Sequence, residues 1–272
     1  KGGGGALNSA IALKRLGVDS YPMGEIGHDY AGDVLLNIMD ADSIDTSYIM
    51  QKRSKATSVV NVIIRPDGER SFACNPGNYI KIKYDEYDWD ILEEFDVLLI
   101  GSCFLLDGLL PDLPKVLQKC REHNTISIID TVWPNNLNFK QIIDSLPYLD
   151  YFTPSFKEAQ LLTGKLKADD IAQWCLDKGT KNVLVKMDKE GCYLANNELK
   201  IQVPALTVPL VDSTGAGDCF LAGFIRGLLS GYDIVEATKL GNAAGAMCVQ
   251  FLGAYTGISN FNDLVNNFYA KY

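Results

Sequence analysis

The chain has 272 residues, 47% of them hydrophobic and 22% charged, so it can bury the core of one large domain and is not expected to be disordered. Its net charge of −9 argues against nucleic acid or an anionic membrane surface as a partner, and no apolar run approaches the ~18 residues of a membrane span. Seven cysteines without a C-x-x-C pair predict reduced thiols in a cytoplasmic protein, and two histidines give little support for a zinc or Ser-His-Asp centre.

The first part of the chain alternates helical patterns with short apolar segments. Apolar residues at helical spacing predict helices over residues 6–16 and 30–41, and Gly17 is a stop signal for the first. Residues 19–23 are predicted as a short strand and residues 24–27 as a loop.

A β-hairpin is the next predicted element. Two β-rich runs, residues 58–64 and 69–74, flank Pro66-Asp67-Gly68, which is a strong turn signal. The hairpin stands apart from the elements around it, because the rest of the chain has an α/β pattern.

Beyond residue 84, compact apolar strands alternate with helices. The predicted strands cover residues 97–100, 126–129, 149–152, 183–185 and 192–194, and the predicted helices cover residues 113–123, 156–162, 168–178, 233–252 and 261–270. This alternation predicts one domain over residues 1–272, with a parallel sheet covered by helices on both faces. Ligands bind at the carboxyl ends of such strands, where we expect Asp130, Ser155, Lys186 and Asp212.

A glycine motif, Asp212-Ser213-Thr214-Gly215-Ala216-Gly217-Asp218, directly precedes a helical pattern. A glycine turn that leads into a helix N-terminus attracts anions, because the first N–H groups lack partners there. Asp218 would repel a phosphate at that place unless it takes a proton from an attacking hydroxyl. The same residues also fit a simple helix cap with a tight turn.

Two motifs together resemble the PfkB/ribokinase-like carbohydrate kinases. Gly3-Gly4-Gly5-Ala6-Leu7-Asn8, followed by Gly17 and Gly27, is similar to the family's N-terminal signature, and the run 212–218 is similar to its C-terminal signature. The resemblance implies a three-layer α/β/α ribokinase-like fold with a mostly parallel central sheet. It also implies a small β lid over residues 57–80, which would close over the sugar and offer a homodimer surface. The family begins with a strand that carries a sugar-binding Asp, and the sequence shows neither. We therefore expect either that this segment is missing before Lys1 or that the sugar site differs.

The resemblance further assigns the reacting groups. Asp218 would be the general base, and Gly215, Ala216 and Gly217 would supply N–H groups to the transferred phosphoryl group. Gly4 and Asn8 match sugar contacts of the family.

Nucleotide and cation positions also follow from the resemblance. Glu158 would steer Mg²⁺ through water, and Ser155 stands where the family has Asn. Lys186 and Gly191 would line the phosphate loop, in which Asp188 replaces a glycine. Asn242 matches a position beside the nucleotide base, and Asp212 resembles part of a monovalent-cation site, such as one for K⁺.

We therefore expect an ATP-dependent kinase that phosphorylates a hydroxymethyl group of a small sugar. The alternatives are a nucleoside or vitamin-precursor kinase of the same fold, or a non-catalytic sugar- or nucleotide-binding regulator, which the residues at 155 and 188 favour slightly. The sequence contains neither a G-x-G-x-x-G that opens a first βα unit nor a P-loop motif, which argues against a dinucleotide oxidoreductase and a P-loop kinase. Ribose, fructose or its phosphate, 2-keto-3-deoxygluconate and fructosamine-type sugars all remain open.

Overall fold

The fold is given by a computed structural model that describes residues 2–64, 70–75, 77, 82–134 and 139–272. The helices are α1 (Gly5–Arg15), α2 (Tyr30–Ala41), α3 (Leu113–His123), α4 (Lys140–Ser145), α5 (Phe156–Thr163), α6 (Ala168–Asp177), α7 (Ala216–Leu229), α8 (Ile234–Cys248) and α9 (Phe261–Asn267). The strands are β1 (Gly24–Gly27), β2 (Ile49–Lys52), β3 (Val59–Ile64), β4 (Arg70–Asn75), β5 (Val97–Ile100), β6 (Ile126–Asp130), β7 (Tyr151–Thr153), β8 (Asn182–Lys186), β9 (Cys192–Ala195) and β10 (Lys200–Val203).

The central sheet brings the predicted strand ends together. Its described strands lie in the order β10-β9-β8-β7-β6-β5. Strands β5 to β8 are parallel to one another, whereas β9 pairs antiparallel with both β8 and β10. Asp130 pairs with Thr153 at the end of β6, and Ser155 forms a parallel bridge with Lys186 at the end of β8. Three of the predicted ligand positions therefore share one edge of the sheet. Asp212 does not follow a strand as predicted, because residues 204–211 form a loop.

Helices cover both faces of this sheet. Successive strand residues point to opposite faces, so neighbouring residues of one strand belong to different cores. Ile128 and Leu184 belong to a core with α1, α7 and α8, whereas their neighbours Ile129 and Val185 belong to a core with α3, α5 and α6. The layers are thus helix, sheet and helix, as predicted. In the part of the chain that the structure describes, no helix is long and apolar enough to cross a bilayer.

The segment Gly24–Gly27 corrects the sequence analysis. It is a strand that pairs in parallel with β2, not a loop, and residues 19–23 are not a strand. Gly27 is needed because of close packing: a Cβ on it would lie 2.5 Å from the Lys55 carbonyl oxygen. A glycine that is needed for space looks like a turn glycine in a sequence.

The predicted hairpin is present as β3 and β4, which pair with each other in an antiparallel sheet of their own. Its predicted turn, Pro66-Asp67-Gly68, lies outside the described residues. The base of β3 is held where the Thr57 N–H donates to Asp29 Oδ2 at 2.7 Å and the Gly27 N–H donates to Thr57 Oγ1 at 2.9 Å. These contacts fix where the hairpin leaves the body of the protein.

Candidate active site

The glycine motif forms a turn that begins helix α7. Gly215 caps the helix at φ +77°, and a Cβ on it would lie 2.0 Å from the Ala254 carbonyl oxygen, so the turn requires glycine for both space and conformation. The Ala216 N–H donates to the Ser213 carbonyl at 3.2 Å, whereas the sequence analysis predicted that it donates to the transferred phosphoryl group. Among the described residues, nothing accepts from the N–H groups of Gly217 and Asp218. These two groups, at the helix start, can therefore bind an anion.

Asp218 is held at this helix start by a residue from the other end of the chain. Asn8, on α1, donates from Nδ2 to Asp218 Oδ2 at 2.7 Å, although 210 residues separate them. Burial, together with the nearby Asp130 carboxylate, raises the pKa of Asp218 to about 7, although the Asn8 hydrogen bond and Lys186 act to lower it. A carboxylate that titrates near neutrality is suited to general base catalysis.

The start of α1 leaves open space beside Asp218. Gly4 caps this helix at φ +101°, and nothing lies within 4 Å of where its Cβ would stand. Asn8 Oδ1 is buried and has no hydrogen-bond partner among the described residues. A buried polar atom without a partner is costly, so this oxygen is suited to accept from a bound hydroxyl.

Lys186 brings a positive charge to the same place. Its Nζ forms an ion pair with Asp130 Oδ1, and the two side chains are only 14% and 6% exposed. The same Nζ lies 3.2 Å from where a Cβ on Gly217 would stand, directly over the start of α7. Burial acts to lower the pKa of Lys186, but Asp130, Glu158 and Asp218 outweigh it and raise the pKa, so the ammonium stays charged.

Ser155 and Glu158 form the capping box of α5. The Glu158 N–H donates to Ser155 Oγ at 3.4 Å, and the Ser155 N–H donates to Glu158 Oε2 at 3.2 Å. Thr131, directly after Asp130, donates to the same Oε2 at 2.6 Å. Ser155 therefore has a structural role at this position, while Glu158 Oε1 makes no hydrogen bond to the described residues.

Asp212 ties the glycine turn to a neighbouring loop. Its Oδ1 accepts from the Thr214 N–H at 2.9 Å, and its Oδ2 accepts from the Gly253 N–H at 3.0 Å. Among the described residues there is no cluster of three or more His, Cys, Asp or Glu that could hold a metal ion.

Gly191 and Asn242 meet at the edge of the sheet rather than at Asp218. A Cβ on Gly191, which has φ +91°, would lie 2.1 Å from the Val203 carbonyl oxygen. Asn242 donates from Nδ2 to the carbonyls of Val203 and Pro204, at 3.0 Å each. Asp188 is exposed to solvent, and its backbone has φ +51°. Glycine adopts this left-handed conformation more easily, but Asp tolerates it. The predicted nucleotide roles of Gly191 and Asn242 stay predictions.

Sequence reasoning missed Ser102, which follows β5. It has φ +55°, a strained conformation for a serine, and its Oγ would lie 2.7 Å from a Cβ on Gly5. The Asp218 Oδ1 would lie 3.3 Å from the same Cβ, so Ser102 and Asp218 flank Gly5. The signal available in the sequence was its place just after a buried strand.

Comparison with known proteins gives the family of this chain. The sequence matches the pfkB family of carbohydrate kinases over residues 1–260. A 2-dehydro-3-deoxygluconokinase from Bacillus subtilis (strain 168) is 28% identical over 283 residues, covering 97% of this chain and 85% of that protein.

Solved structures share the fold across nearly the whole chain. The crystal structure of a ribokinase from Thermotoga maritima has a TM-score of 0.85 and 27% identity, covering 99% of this chain and 88% of that one. An E. coli protein crystallised with ATP and Mg²⁺ has a TM-score of 0.86 at 24% identity, covering 99% and 89%. The predicted ribokinase-like fold is confirmed. The chain therefore belongs to the pfkB family of carbohydrate kinases, phosphotransferases that act on sugar hydroxyl groups.

Proposed function

We propose that this kinase transfers the γ-phosphoryl group of ATP to a hydroxymethyl group of a small sugar, with Asp218 as the general base. The observation that carries the proposal is the position of Asp218. Its carboxylate, with a pKa of about 7, stands at the start of α7 beside two N–H groups that have no partner among the described residues. A base and an anion site in contact are what phosphoryl transfer to an alcohol requires.

The chemical step follows from these groups. Ionised Asp218 takes the proton of the sugar hydroxyl, the hydroxyl oxygen forms a bond to the γ-phosphorus, and the bond from that phosphorus to the ADP oxygen breaks. The N–H groups of Gly217 and Asp218 face the negative charge on the phosphoryl oxygens. Asp218 then releases its proton to solvent when the products leave.

Nucleotide binding is proposed at the same edge of the sheet. The ammonium of Lys186 lies over Gly217, where the end of the triphosphate would lie, and the E. coli relative holds ATP and Mg²⁺. Glu158 fits a magnesium ion bound through water, because its Oε1 is an oxygen ligand without a hydrogen bond to the described residues. When bound, Mg²⁺ neutralises charge on the phosphate oxygens.

The sugar is proposed to lie between the start of α1 and Asp218. Gly4 leaves the space, and Asn8 Oδ1 is the acceptor for a sugar hydroxyl. The hairpin of β3 and β4 would close over it and exclude water, which competes as an acceptor of the phosphoryl group. Val59 and Val60 on β3 are 42% and 47% exposed on opposite faces of the hairpin, and one of them would lie in the proposed dimer contact.

A monovalent cation near Asp212 also remains a proposal. The backbone N–H groups of Thr214 and Gly253 hold this carboxylate beside the glycine turn, where it would be an oxygen ligand for the cation. Turnover measured in KCl and in NaCl at equal ionic strength tests this site. A K⁺ dependence supports it, and equal rates in both salts contradict it.

A substrate panel tests the function. Wild type and Asp218→Asn are assayed with Mg²⁺ and radiolabelled ATP against ribose, fructose, fructose phosphate, 2-keto-3-deoxygluconate and nucleosides. We expect transfer to at least one sugar, and a loss of several orders of magnitude in Asp218→Asn. Transfer to nucleosides alone would replace the sugar by the nucleoside alternative. ATP and sugar binding without any transfer would indicate a regulator, and equal turnover in the two proteins would reject Asp218 as the base.

A further inference from the structure

The pair of Asp130 and Lys186 is not explained by the fold alone. Both side chains are almost fully buried at the carboxyl edge of the sheet, on strands β6 and β8 that are not neighbours, since β7 lies between them. Burying two charges is costly, and hydrophobic residues of similar size are often at least as stable. The pair therefore calls for a functional reason.

We propose that Asp130 is a positioning residue, which holds the Lys186 ammonium over the start of α7 and, with Lys186, controls the charge of Asp218. This proposal deepens the proposed kinase function and rests on it. The Lys186 Nζ forms an ion pair with Asp130, and the same atom lies 3.2 Å from the Cβ position of Gly217 at the start of α7.

The two partners act on Asp218 in opposite directions. Asp130 is a negative charge close enough to oppose ionisation of Asp218, and Lys186 is a positive charge that favours it. Because the two charges are bound to each other, each limits the effect of the other. Without Asp130, the ammonium would be free to pair with Asp218 itself, and Asp218 would become a weaker base.

The other groups that face Asp218 are accounted for. Asn8 on α1 donates to its Oδ2 and favours the ionised form. Ser102, after β5, lies on the far side of Gly5. Glu158, on α5, acts on the Lys186 ammonium and thereby on the pair. Within the described part of the chain, only Asp130 both opposes ionisation of Asp218 and anchors Lys186.

The test is a carboxyl ¹³C NMR titration of the full-length protein, labelled at aspartate, without nucleotide, sugar or magnesium. The Asp218 signal is identified by its loss in Asp218→Asn, and its midpoint is followed from about pH 5 to 9. For Asp130→Asn we expect the midpoint to fall by about one pH unit or more, which is a tenfold change in proton affinity. For Lys186→Met we expect it to rise.

Asp188→Asn is the matched control. This variant removes the same charge two residues after Lys186. The position is exposed, and Asn tolerates its left-handed backbone conformation. Its midpoint should stay that of the wild type. If Asp130→Asn does not fold, Lys186→Met supplies the measurement, and a midpoint that does not rise in it overturns the proposal.

Enzyme kinetics supply a second readout. The acid limb of kcat/KM against pH should move down in Asp130→Asn and up in Lys186→Met, whereas a purely structural pair would lower activity at all pH values alike. Midpoints within about 0.3 unit of the wild type in both variants would overturn the proposal. The titration needs no substrate, so its outcome is independent of whether the substrate panel finds a sugar.

Discussion

Gly215 offers a sharp test of how the active-site turn is built. In Gly215→Ala, the new methyl group would stand 2.0 Å from the Ala254 carbonyl oxygen, in a backbone conformation of φ +77°. The left-handed conformation costs an alanine about 1–2 kcal/mol, and pushing the Ala254 loop away adds about 2–3 kcal/mol. We expect a total loss of about 3–5 kcal/mol and, at about 2–4 °C per kcal/mol, a fall in Tm of at least 6 °C.

Gly231 provides the matched control at the other end of α7. It has φ +80°, and nothing lies within 4 Å of where its Cβ would stand. Gly231→Ala therefore carries the conformational cost without the overlap, and its Tm should fall by about 2–8 °C, less than that of Gly215→Ala. Differential scanning calorimetry of both variants isolates the contact with Ala254. If Gly215→Ala lowers the Tm no more than Gly231→Ala does, the described packing of the turn is wrong.

Three further predictions concern Asp218 and its neighbours. In Gly217→Ala the new methyl group would lie 3.2 Å from Lys186 Nζ and displace the ammonium, so kcat/KM should fall about tenfold or more. The Tm should stay equal or rise slightly, because alanine favours a helix more than glycine does. A lower Tm would argue against displacement of the ammonium. The pKa of Asp218 is raised from 3.8 to about 7, so the native state binds this proton more tightly than the unfolded state, and native stability falls as the pH rises between these values. Asp218→Asn should therefore be more stable than the wild type at about pH 8, by on the order of 2–4 kcal/mol in denaturant titrations, with a smaller gain near pH 4; an equal gain at both would contradict the shift. Asn8→Ala removes a hydrogen bond that lowers the pKa of Asp218, so the acid limb of kcat/KM should move to higher pH, and an unchanged limb would deny the contact its role.

Much of the fold could be predicted because local patterns and tertiary structure agree. Helix α2 matches its predicted range, 30–41, since its apolar spacing and its Asp29 cap indicate the same bounds. Two strands show where local patterns are insufficient. β1 was predicted as a loop because of its glycines, and β10 was not predicted, because three of its four residues are exposed and it lies at the sheet edge.

The site was predictable to the extent that its residues stand in motifs. The start of α7, with Asp218, follows from the glycine motif and the helical pattern after it. The contact of Asn8 with Asp218 spans 210 residues, and only the resemblance to a kinase family suggested that both belong to one site. The pairing of Lys186 with Asp130 could not be predicted, because it depends on the order of β6, β7 and β8 in the sheet.

The central claim is that Asp218 acts as the base, and the pH dependence of kcat/KM tests it most directly. Burial holds the pKa of Asp218 at about 7, and only the ionised carboxylate can take the proton of the sugar hydroxyl. The wild-type kcat/KM should thus be constant above about pH 8 and fall about tenfold per unit below pH 6, while Asp218→Asn stays near background throughout. A wild-type profile that is flat down to about pH 5, or an Asp218→Asn enzyme with the wild-type rate, would contradict the account.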